Sequence, residues 1–182
     1  MGNDIYKKNI KILSLSILHL TFYIFLTGCG YKPSTVYQNK IIDQNILAKV
    51  HISTKDPKES AFLKDALNDA VYTVFNANLV TEKQNPNTTI DISISSSNLT
   101  PLDYDENGLP ILYRSAVTLK VKIIDKFKKI RYYTVSGNYD FAVSANSIIN
   151  DQTKFDSFKQ ASINALNKLL AEITKDGVTN DN

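Results

Sequence analysis

The chain has 182 residues, 43% of them hydrophobic, with 21 basic and 18 acidic side chains. That length suits one domain with a real core, and the near balance of charge excludes nucleic-acid recognition by bulk charge. Cys29 is the single cysteine, which excludes an internal disulfide, so the fold must rest on its core.

Lys7, Lys8 and Lys11 form a positive start, and Ile12 to Leu26 follows as a largely apolar run with no Asp, Glu, Lys or Arg. Spanning a bilayer takes roughly 20 apolar residues, so this shorter run fits the apolar region of an export signal. It ends in Leu26-Thr27-Gly28-Cys29, which resembles a bacterial lipobox. Small residues there let the backbone enter a peptidase cleft, and the thiol then takes a diacylglycerol. Residues 1–28 are thus expected to be removed, 29–45 to form a lipidated tether, 46–177 to fold as a single α+β domain, and 178–182 to be a disordered tail. Three acyl chains make such an anchor effectively permanent, since each buried methylene contributes about 0.8 kcal/mol. Removal of Lys7, Lys8, Lys11 and Asp4 leaves a net charge of +1.

Ile46 to Ile52 reads as a short strand. Asp56 as N-cap, Pro57 at the first helical position and Glu59 two residues on open a helix. Its apolar stripe is Leu63, Ala66, Leu67, Ala70, Val71 and Val74. Leu79-Val80 reads as a strand remnant, and Gln84 to Asn87 as a turn. Ile90, Ile92 and Ile94 alternate with polar residues as a half-buried strand, and Asn98 to Gly108 reads as a polar loop. Leu112 to Asp125 is a long strand with Val117, Leu119, Val121 and Ile123 on one face. Its other face carries Arg114, Thr118, Lys120 and Lys122. A turn at Asp125 to Lys128 leads to a returning strand, Lys129 to Phe141. Asp151 is placed to cap a last helix with Phe155, Phe158, Leu166, Leu169, Leu170 and Ile173 on its apolar side and Gly177 as its stop. The order β-α-β-β-β-α predicts a two-layer α+β sandwich, two helices packed on a four-stranded sheet.

No catalytic set is apparent, so the chain is read as a non-enzyme without cofactor or metal. His51 is the one histidine after Cys29, and a lone strand histidine is ordinarily structural. Asp103 to Gly108 imitates the start of a calcium loop, but Arg114 stands where a bidentate Glu belongs, so it reads as a polar turn. The marked feature is charge. From Arg114 to Arg131 there are seven basic residues and one acid, Asp125. Lys120, Lys122, Lys128, Lys129 and Arg131 are the candidate ligands for an anionic, amphiphilic partner, with Tyr113, Tyr132 and Tyr133 in or beside the same ribbon.

Three features together resemble the lipopolysaccharide-assembly lipoprotein family LptE. Cys29-Gly30-Tyr31-Lys32-Pro33 is similar to that family's Cys-Gly-aromatic start, without the His-Leu-Arg-Gly continuation of some relatives. The element order is similar, and so is the central ribbon with Tyr113, the basic hairpin and Tyr139-Asp140-Phe141. The resemblance implies a lipid-anchored protein on the periplasmic side of the outer membrane. It implies lipopolysaccharide binding and support and plugging of an LptD-like β-barrel, with no enzymatic activity. Gly30, in place of an aspartate, agrees with outer-membrane sorting. The alternatives are another lipoprotein adaptor, such as a pilotin or a cell-wall synthase activator, and a periplasmic enzyme. Cys29→Ala is expected to abolish incorporation of radiolabelled palmitate; labelling at the wild-type level would refute the lipobox assignment.

Overall fold

A computed structural model describes residues 41–51, 57–144 and 148–179. The proposed signal, Cys29, the Asp56 cap and the end of the tail lie outside the described residues. The elements are β1 (Asn45–Val50), α1 (Pro57–Thr73), β2 (Asn78–Leu79), a 3-10 turn (Glu82–Gln84), β3 (Thr88–Tyr104), β4 (Pro110–Ile124), β5 (Ile130–Ala142) and α2 (Asp151–Thr179). They build one sheet of order β2-β1-β3-β4-β5. β1 is parallel to both of its neighbours, and β3-β4-β5 is an antiparallel meander. Both helices pack on one face of the sheet, as the apolar alternation of the strands requires.

Expectation and structure differ in four places. The sheet has five strands, not four, because Leu79 pairs with Ile46 and Val80 N–H donates to the Ile46 carbonyl. The predicted loop from Asn98 is instead the second half of β3. A bulge between Ile94 and Ser96 reverses which residues face the helices. Ile90, Ile92 and Ile94 pair opposite core residues of β4, and beyond the bulge Ser97, Leu99 and Pro101 take that side opposite Val117, Ser115 and Tyr113. Pro101 is tolerated because β1 pairs with β3 only as far as Ile92, which leaves the rest of β3 an edge among the described strands. At the last helix, Asn150 is the cap: its Oδ1 accepts the Thr153 N–H at 2.7 Å. Gly177 lies inside that helix and is buried, so it ends nothing. Finally, Ile41 and Ile42, assigned to the polar tether, are buried in the core. They are held by Asp43, whose N–H donates to Thr88 Oγ1 and whose carboxylate accepts from Asn87.

The core joins Phe62, Leu63, Leu67 and Val71 of α1, Leu166, Leu169 and Ile173 of α2, and the alternating Ile90, Ile92, Leu119, Val121 and Ile123. Phe62 stacks on Phe158 with ring centroids 5.3 Å apart. The two layers approach closely at Gly137 on β5. A Cβ there would lie 2.1 Å from the Ala161 carbonyl oxygen and 2.3 Å from the Ala165 nitrogen. Both are backbone atoms of α2, so no side-chain rotation relieves the overlap. Gly137→Ala is expected to cost about 3 kcal/mol, the upper end for overpacking. A denaturant midpoint equal to wild type would show that α2 rides further from the sheet.

Candidate anion-binding face

Strand pairing sets the site. Lys49, Asp91, Lys122 and Tyr132 form one row across β1, β3, β4 and β5, and Ser93, Lys120 and Thr134 form the next. Both rows lie on the sheet face opposite the helices. Lys120 is exposed and Lys122 half-buried, two residues apart on that face, or roughly 7 Å along the strand. Their neighbours Lys49 and Asp91 each lie beside another charged or titratable group, and Asp91 Oδ1 makes no hydrogen bond. Lys49 Nζ is 2.6 Å from Glu82 Oε1, and His51 Nε2 is 2.6 Å from Asp91 Oδ1. The bond and charge of Glu82 raise the Lys49 pKa above the usual lysine value. Arg114 makes a two-pronged bond to Asp140, which raises the arginine pKa and lowers that of the carboxyl. Among the described residues, Lys120 and Lys122 form no ion pair.

The remaining candidates separate. Lys128 and Lys129 sit in the β4–β5 turn, both exposed. Arg131 faces the other way: it pairs with Ile123, a core residue, and its guanidinium donates to Asp125 Oδ2. The Asp125 side chain is 1% exposed and that of Arg131 14%, so this arginine is not available on the outer face. Asp125 Oδ1 accepts the backbone N–H groups of Phe127 and Lys129, both at 2.9 Å. Burial pushes the Asp125 pKa up, but these bonds, led by that from Arg131, outweigh it and hold it below the usual carboxylate value. The tyrosines separate too. Tyr132 is exposed beside Lys122 on the outer face, and Tyr113 stacks on Phe141 with centroids 5.9 Å apart. Tyr133 turns to the helices, where its hydroxyl donates to Asp176 at 2.8 Å. Burial first and that bond second raise its pKa.

The other hairpin turn has the same architecture. Asp105 Oδ1 accepts the N–H groups of Asn107 and Leu109, and Gly108 takes the left-handed conformation at φ 77°. The oxygen that a calcium loop would aim at an ion is thus used to close the turn. No group of three or more His, Cys, Asp or Glu placed to hold a metal occurs among the described residues.

No protein-family model matches the sequence, and comparison with curated proteins finds no match. Solved structures of similar shape include rare lipoprotein B of Shewanella oneidensis, 11% identical over 76% of this chain and 99% of that one, TM-score 0.46. A putative lipoprotein of Caulobacter crescentus is 7% identical over 80% and 96%, TM-score 0.48. A single-substitution variant of the PelC dodecamer of Paraburkholderia phytofirmans is 10% identical over 73% and 89%, TM-score 0.44. At these identities and scores nothing about function passes from them to this chain.

A carboxylate with a depressed folded pKa stabilises the fold above its unfolded value, near 4, and loses that contribution as pH falls through the folded value. Arg131→Met removes the leading bond that depresses the Asp125 pKa. The variant is expected to lose about 3 kcal/mol, as for a broken buried pair, and to unfold in acid at a higher pH than wild type. Coincident acid-unfolding curves by circular dichroism would show the pair to be idle.

Proposed function

We propose that the chain is a lipid-anchored outer-membrane lipoprotein that binds lipopolysaccharide and supports assembly and plugging of an LptD-like β-barrel. The observation that carries this is the pairing of a lipobox-like Cys29 with a sheet face bearing Lys120 and Lys122, which no described helix covers. Anchoring puts the domain at a membrane, and two lysines without acidic partners on one face suit the phosphates of a lipid head. Lys128 and Lys129 extend the positive field toward the turn. Arg131 is withdrawn from the ligand set, because Asp125 holds it on the opposite face. No enzymatic role is assigned.

A lipoprotein adaptor of another kind is separated by its partner. A crosslinked pull-down from outer membranes is expected to recover a large β-barrel rather than a secretin or a cell-wall synthase. For the ligand, Lys120→Glu combined with Lys122→Glu is expected to weaken lipopolysaccharide binding at least tenfold at low salt and to flatten its salt dependence. The fold should persist, since both side chains lie outside the core. Unchanged affinity in the double variant would leave the face without an anionic ligand, and the barrel partnership would then stand or fall on the pull-down alone.

A further inference from the structure

The β4–β5 turn carries more than charge. Phe127, at its apex, is 74% exposed. Ile130 and Tyr132 on the adjoining strand are 48% and 75% exposed. The Lys126 ammonium lies 5.4 Å from the centroid of the Phe127 ring, and Lys128 and Lys129, both exposed, complete the turn. The one acid within the turn, Asp125, is buried and neutralised by Arg131. What remains in solvent is three cations about an aromatic apex.

The tip is held out rather than merely loose. Asp125 binds the N–H groups of Phe127 and Lys129, its own N–H donates to the Lys129 carbonyl, and the Lys128 N–H donates to the Asp125 carbonyl. The same pattern closes the Asp105 turn, where glycine fills the left-handed position. Here that position is Lys128, at φ 63°, although a side chain disfavours it. A cation is therefore kept where glycine would suit the backbone better.

The placement of the turn selects its partner. Thr89, Ile124 and Ile130 form one row, so the turn projects from the sheet end at which β1 and β3 begin. Asp43, bonded to Thr88 and Asn87, lies at that same end. The described chain therefore enters the domain from Ile41 on the side to which Phe127 points. Eleven residues lie between Cys29 and Ile41, and the segment reaches at most about 43 Å. A chain anchored at Cys29 therefore keeps this end of the sheet within that reach of its own membrane.

We propose that the Asp125–Lys129 turn docks on the anionic phospholipid surface of the membrane that anchors the chain. Phe127 enters the headgroup region, and Lys126, Lys128 and Lys129 meet the phosphates. The orientation rests on the lipid-anchor reading above, and the test separates the two. The chain contains no tryptophan, so Phe127→Trp places a single reporter at an exposed site. The full chain carrying it is mixed with phosphatidylglycerol vesicles and, separately, with phosphatidylcholine vesicles, both doped with brominated phosphatidylcholine. On the anionic vesicles the emission is expected to shift to the blue and to be quenched by the brominated lipid. Quenching should be several-fold weaker on the neutral ones. Replacing Lys126, Lys128 and Lys129 by Glu should lower the tip's own partitioning by roughly a hundredfold or more, since each lysine near an anionic surface contributes appreciably. Quenching that persists in a Cys29→Ala chain would support docking even if the anchor reading failed. Emission typical of water from a chain that sediments with the anionic vesicles would overturn docking and leave the anchor standing. Equal quenching on neutral vesicles would overturn it as well.

Discussion

The backbone contact at Gly137 is the constraint on which the rest of the structure depends. α2 can lie on β5 only because that strand presents no Cβ to Ala161 and Ala165. Once seated there, α2 covers β4 and β5 and leaves room for α1 beside it, over β1 and the start of β3. The aromatic contact of Phe62 with Phe158 and the ion pair of Lys159 with Asp69 close the seam between the helices. A larger residue at position 137 would lift α2 and open the space that Leu166 and Leu169 fill. That no described helix covers the outer face follows from the same fact, since α1 and α2 occupy one side and the polar residues of β4 must take the other.

How much of this was legible depended on whether the apolar period ran unbroken. Val117, Leu119, Val121 and Ile123 alternate cleanly, and all four are buried where expected. Both helix stripes were likewise readable from their spacing. β3 was legible only to Ile94, because one extra residue in the bulge moved Leu99 and Pro101 to odd positions and disguised a strand as a loop. β2 is two residues long, below the reach of any periodicity, and it exists because Ile46 offers its carbonyl. The N-cap moved by one residue because Asn150 and Asp151 have the same capping chemistry, and only the backbone decides between them.

The candidate face was half legible for a related reason. Residue parity assigned Lys120 and Lys122 to the outer face, but the turn resets parity. Arg131 therefore returns opposite Ile123, facing the helices. There it answers the charge of Asp125, a residue that a count of local charge treats merely as the exception in a basic run. Counting by sequence gave five cations on one surface. Pairing gives two on the face, two more at the turn, and one consumed in holding that turn together. Lys126 belongs with the turn pair; the sequence counts it among the seven basic residues but not among the candidate ligands, because its setting depends on the exposed ring of Phe127.

The two hairpin turns show how such a sheet is polarised. They share one backbone design, an aspartate that accepts two N–H groups with a left-handed residue three positions later. One carries Asp103, Asp105 and Glu106; the other exposes Lys126, Lys128 and Lys129. β4 runs 15 residues between them, about 50 Å of strand. Near an anionic surface the basic end is attracted and the acidic end repelled, so the long axis of the sheet tends to stand away from the membrane. Lys122 is then about 10 Å and Lys120 about 17 Å beyond Asp125 along β4. At physiological ionic strength the field of a charged surface decays over about 8 Å, so the turn lysines feel the headgroups while Lys120 is largely screened from them. On the proposed docking, Lys120 and Lys122 stay clear of the headgroups on the outer sheet face, and the two charged regions act separately.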